Sequence, residues 1–101
     1  MFWYTEFMVK AIWNNVVLAE SDATVMLGRE CYFPIASVRV EHLVKNGKTV
    51  FCAAKGYGDY YDVVGDGKTL VDGAWIYPHP YWEAEEVKGM VSFCGEVEIS
   101  A

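Results

Sequence analysis

Three tight-turn signals, Asn14-Asn15, Asn46-Gly47 and Gly65-Asp66-Gly67, each stand between two runs rich in β-branched and aromatic residues. A two-residue hairpin turn needs positive φ at its central positions, which Asn and Gly tolerate, so each signal predicts a β-hairpin. Residues 8–13 and 16–20 read as the first pair of strands, 40–45 and 48–53 as the second, and 57–64 and 68–71 as the third. Alternating polarity adds short strands over 24–27, 90–93 and 97–99. The exception is 81–87, where Glu83, Ala84, Glu85 and Glu86 favour one or two helical turns that Gly89 stops. The expected fold is mainly β, a single domain over residues 1–101 with one short helix.

Composition agrees with one core. In 101 residues, 53% are hydrophobic and 16% aromatic, which supplies a core and lies far from a disordered composition. The formal charge is −6, and the eight basic residues are scattered from Lys10 to Lys88 without a run. Nucleic acid binding needs a concentrated basic surface, so DNA and RNA are not expected partners. No apolar stretch reaches the roughly 20 residues of a membrane-spanning helix, so no membrane partner is expected either, and the cytoplasm is the expected location. Cys31, Cys52 and Cys94 are odd in number and irregular in spacing, which suits reduced thiols better than a disulfide framework.

Four separated segments carry a resemblance to a known family. They are Leu18-Ala19-Glu20-Ser21; Tyr32-Phe33-Pro34 followed by Val38; Cys52-Ala53-Ala54-Lys55-Gly56 with Tyr60-Tyr61 behind it; and Ala74-Trp75-Ile76-Tyr77-Pro78-His79-Pro80 leading to Lys88-Gly89 and Phe93. In order and spacing, over about residues 9–99, the chain resembles the domain of unknown function 427 family, with 1–8 as an N-terminal extension. The resemblance implies a β-tent, a compact fold of strongly bent antiparallel sheet, and an unassigned function. Two positions depart from the family's pattern: Ala53-Ala54 replaces a Pro followed by Tyr or Trp, and Cys31 stands where relatives often have His.

The matched segments supply the candidate site residues: Glu20, Tyr32, Cys52, Lys55, Gly56, Tyr60, Trp75 and Tyr77. Cys52 and Lys55, three apart, meet only if the chain bends near Ala54; a buried structural thiol is favoured over a reactive one. Lys55 offers a cation beside Gly56, suiting phosphate or carboxylate, although the P-loop spacing is absent and a solvated Lys55 beside a glycine bulge is an equal alternative. Glu20 is read as a general base or as an ion-pair partner of Lys55 or Arg39, the structural role being commoner. Tyr57 and Tyr61 share one face of a strand and Tyr60 the other, while Trp75 and Tyr77 are same-face neighbours. A pocket walled by Tyr60, Trp75 and Tyr77, with Lys55 and Glu20 at its mouth, is expected.

Several chemistries are disfavoured. A nucleotidyltransferase-like label attached to the family would need clustered carboxylates for its metal, but Asp59 and Asp62 are three apart on a strand and Asp66 is a turn residue. His42 and His79 match no zinc spacing, so neither a metal nor a cofactor is expected. No nucleophile-elbow motif is present. The expected function is binding of a small polar or anionic ligand, with an enzyme of unassigned reaction left open. The alternative is a protein-interaction or homodimerisation module, to which the aromatic segment Phe2-Trp3-Tyr4 points.

Overall fold

Asn14 and Asn15 take φ of 51° and 63°, closing β1 (Val9–Trp13) onto β2 (Val16–Ser21) as an antiparallel hairpin. The computed structural model describes residues 8–101; the segment Phe2-Trp3-Tyr4 lies outside the described residues. A third strand, β9 (Glu98–Ser100), pairs with the other edge of β1, giving the order β2-β1-β9.

The larger sheet has the order β5-β6-β7-β8, from β5 (Leu43–Cys52), β6 (Gly56–Gly65), β7 (Lys68–Ile76) and β8 (Val91–Phe93). Asp66 and Gly67, at φ of 51° and 78°, make the expected turn between β6 and β7. Strand β7 runs past the expected Val71 because Asp72, at φ 57°, absorbs a register slip and lets Trp75 pair with Tyr60.

The Asn46-Gly47 expectation is corrected. This dipeptide does not reverse the chain; β5 passes through it, and the pairing slips from Lys45↔Tyr61 to Thr49↔Asp59 as a bulge, with Gly47 at φ 81°. The Asn46 amide donates to Asp62 Oδ1 at 2.8 Å and Asp72 Oδ1 at 2.7 Å, so its polar group anchors the bulge to the strands beside it. The reversal falls instead in the loop 53–55, between paired Cys52 and Gly56. Residues 40–42, expected as strand, form a 3₁₀ turn, Val40–His42, anchored by His42 Nδ1–H donating to the Val64 carbonyl at 2.8 Å.

A separate ribbon pairs β3 (Val25–Leu27) with β4 (Glu30–Tyr32) across Gly28, at φ 64°. It joins the larger sheet through reciprocal bonds between Phe33 and Val91, at 2.8 and 2.9 Å, and through Ser92 Oγ donating to the Cys31 carbonyl at 3.0 Å. Three 3₁₀ turns occur among the described residues, Ile35–Ser37, Val40–His42 and Trp82–Val87, and the last stands at the helical turns expected over 81–87. The last bends at Ala84 and buries Ala84 and Val87, which lie three apart and so fall on one side of a three-residue turn. Gly89, at φ 70°, follows it.

Two clusters fill the interior. Leu18, Phe33, Val63 and Val91 are fully buried between the sheets, with Phe33 and Phe93 edge-to-face at 5.7 Å. The second cluster holds Tyr32, Tyr77, Ala84 and Val87, with Cys52, Trp75 and Met90 packed against it. The described residues form a mainly β fold of three antiparallel sheets. No helix among the described residues is long and apolar enough to cross a membrane.

Candidate functional site

The short loop between β5 and β6 places Lys55. Its backbone N–H bonds the Cys52 carbonyl at 3.1 Å, and its carbonyl accepts from Tyr81 N–H at 3.0 Å. The next residue sits at φ 102°, a conformation suited to Gly56, and a Cβ there would lie in ordinary contact with the backbone of His79, Pro80 and Tyr81. Clamped on both sides, Lys55 turns its side chain inward, leaving it 16% exposed.

The Lys55 ammonium lies on the carboxylate of Glu30 and 3.3 Å from the Tyr32 hydroxyl. It stands 5.7 Å from the ring centroids of both Tyr32 and Tyr77. The Tyr32 hydroxyl donates to Glu30 Oε1 at 2.5 Å. Glu30 and Tyr32 share a face because they are two apart on β4, as Trp75 does with Tyr77 at the end of β7. The Tyr77 ring fits because Gly58 has no side chain: a Cβ there would lie 2.9 Å from Tyr77 Cε1. Tyr60 and Trp75, paired across β6 and β7, bring their rings to 5.5 Å.

Burial sets the protonation of these phenols. It raises Tyr32 well above the ordinary tyrosine value, with the Glu30 carboxylate adding to the rise. Tyr77 is pushed up to about 12, chiefly by burial, and Tyr60 is also raised, by burial and then by Glu30. All three are neutral at physiological pH and offer donors and ring faces, not bases. Cys31 and Cys94 are likewise pushed up by burial.

Beside this cluster opens a cavity of about 360 Å³. Glu30 and Trp75 belong to both. Its other walls are Met26, Arg29, Cys31, Phe93, Cys94, Gly95, Val97 and Ile99. Trp75 Nε1 is buried and has no hydrogen-bond partner among the described residues. It lies near enough to the Tyr32 oxygen to oppose the rise in that phenol, though short of hydrogen-bonding geometry.

The sequence-predicted residues Tyr32, Cys52, Lys55, Gly56, Tyr60, Trp75 and Tyr77 therefore meet in one region. Glu20 does not join them. It sits on β2 opposite Lys10, with its Oε2 3.9 Å from Lys10 Nζ, and the carboxylate that reaches Lys55 is Glu30. Tyr60 and Tyr77 pack within the cluster, and of the aromatic residues expected to wall a pocket only Trp75 borders the cavity. Glu30 was missed; its one signal is the turn former Gly28 after the short strand 24–27, which places Glu30 two residues before Tyr32 on a second strand.

The bend near Ala54 brings Cys52 and Lys55 to opposite ends of one loop. No group of three or more His, Cys, Asp or Glu suited to a metal ion is gathered among the described residues. Asp59 is engaged by Thr49 at 3.2 Å and Lys45 at 3.9 Å, and Asp62 accepts from Asn46 and from the Asp72 N–H.

No curated protein matches this chain. The model of the family described as domain of unknown function (DUF427) matches residues 4–100, nearly the whole length, and the chain belongs to that family.

Proposed function

We propose that this chain is a single-domain binding protein whose cavity beside Glu30 and Trp75 takes a small polar or anionic molecule. The observation that carries the reading is the buried Trp75 N–H without an acceptor, in a residue that forms part of the cavity wall. A buried donor left unpaired costs about 1–3 kcal/mol, which a ligand acceptor reaching it would recover. The volume, about 360 Å³, falls in the range of small-molecule sites. Met26, Phe93, Val97 and Ile99 supply apolar wall, while exposed Arg29 supplies a cation at the rim. Lys55 acts indirectly: by neutralising Glu30 it removes a charge that would repel an anion. The compartment this reading favours is the cytoplasm, where three unpaired thiols stay reduced.

Native mass spectrometry of untagged protein, followed by thermal-shift screening of a metabolite panel, tests it. A small adduct, or a ligand-induced shift, is expected in the wild type and should weaken in Trp75→Phe, which keeps a ring and removes the N–H, and in Arg29→Ala. A panel that shifts nothing, or shifts both variants as it shifts the wild type, would sink the reading.

A further inference from the structure

A second face, away from the cavity walls, carries unsatisfied apolar surface. Phe51 is 54% exposed, Tyr57 60% and Tyr81 42%, and Trp82, the next residue in the chain, is 81% exposed. The rings of Phe51 and Tyr57, cross-strand partners at the β5–β6 end, lie 5.2 Å apart, and Tyr81 meets Phe51 edge-on at 6.5 Å. The platform is pre-formed. Tyr81 is tied to Lys55 through its backbone N–H and accepts from Ala84 N–H at 2.9 Å, and Pro78 and Pro80 restrict the chain before it. Immediately after Trp82 come Glu83, Glu85 and Glu86, all exposed and without an ion-pair partner among the described residues.

We propose that this face docks an extended, proline-rich, basic segment of another protein. Prolines in a polyproline II segment are ordered before binding and lie against exposed aromatic rings at little entropic cost. An arginine between such prolines can lay its guanidinium on the Trp82 ring while bonding the adjacent carboxylates. Charge selects this occupant over others. A nucleic acid or anionic surface would be repelled by the three glutamates. A second copy of this chain in a two-fold contact would bring two acidic triplets into one seam with no basic residue of the patch to offset them.

Fluorescence anisotropy with a labelled synthetic peptide of Pro-Pro-Arg repeats tests the proposal, with Pro-Pro-Glu and Gly-Ser-Arg repeats for comparison. The wild type should bind the first saturably, more tightly at low salt, and should lose about tenfold or more in affinity on Trp82→Ala. A Glu83→Gln, Glu85→Gln, Glu86→Gln variant should weaken it similarly. Both variants change exposed side chains, and circular dichroism should show wild-type melting. Binding that ignores Trp82→Ala, equal binding of the Gly-Ser-Arg peptide, or no binding at all would overturn the proposal. So would a dimer in sedimentation that Trp82→Ala dissolves, since a second copy would then occupy the face.

Discussion

Lys55, on the loop that joins β5 to β6, places its ammonium on the carboxylate of Glu30, 25 residues earlier on β4. The pair links the β3–β4 ribbon to the large sheet and sits under the Tyr32 and Tyr77 rings. Lys55→Met should leave Glu30 a half-buried carboxylate without its cation and destabilise the fold by about 1–2 kcal/mol, between the values of exposed and buried pairs. Glu30→Gln, which can still accept from Tyr32, should cost less than Glu30→Ala. Urea unfolding with an unchanged m-value checks both, and equal stability of Lys55→Met and the wild type would refute the structural role.

Alkaline pH should unfold this domain through its tyrosines. Tyr77 titrates at about 12 in the fold and Tyr32 is raised too, against an ordinary value of 10. A raised tyrosine favours the protonated native state, so its contribution is complete below pH 10 and is lost as pH climbs towards 12. Stability should therefore fall across that window, and Tyr77→Phe should flatten the fall. Site-resolved ring NMR that shows Tyr32 or Tyr77 ionising near pH 10 in the folded domain would contradict the shifts.

Two glycines mark close approaches that a methyl group would disturb. A Cβ on Gly73 would lie 2.7 Å from Val63 Cγ2 and 3.0 Å from the Leu70 carbonyl oxygen, and one on Gly58 would strike the Tyr77 ring. Each Gly→Ala change should cost about 1–3 kcal/mol. Gly58→Ala should also perturb the tyrosine near-ultraviolet circular dichroism, because it displaces a ring of the site. Melting temperatures equal to the wild type would show that the sheets relax more readily than their packing indicates.

The bulge at Asn46-Gly47 should tolerate change poorly although it is at the surface. Asn46→Ala removes the amide that joins Asp62 and Asp72, with an expected loss of about 1 kcal/mol. Gly47→Ala meets no atom within 4 Å but must hold φ near 81°, a strain of about 1–2 kcal/mol. Chemical denaturation of the two variants separates the causes: Gly47→Asn should recover part of the loss, since Asn tolerates that conformation.

The two thiols of the cavity should be sluggish. Burial holds Cys31 and Cys94 above the ordinary 9.0, so little thiolate is present at neutral pH. Alkylation by iodoacetamide followed by peptide mass mapping should show both modified slowly at pH 7 and faster only as pH rises past 9. Rapid modification at pH 7 would mean that the cavity exposes them more than their packing implies.

Local backbone preference was decisive at Asn14-Asn15, Asp66-Gly67 and Gly89, where positive φ is required and the residues present accept it, so the sequence by itself determined two hairpins and the end of the last 3₁₀ turn. It also determined the mainly β class, through alternation, and its matched segments held the aromatic residues and Lys55 that the fold gathers around Glu30. Tertiary structure overruled the equally strong turn signal at Asn46-Gly47, because pairing along the whole of β5 with β6, together with the Asn46 anchor, outweighs one local preference. It alone chose Glu30 over Glu20. A register slip between Ala11 and Ile12 sets Glu20 against Lys10, while the Phe33–Val91 bridge carries β4 to the large sheet and its carboxylate to Lys55. Both contacts depend on where distant strands meet, and no short-range pattern encodes that position.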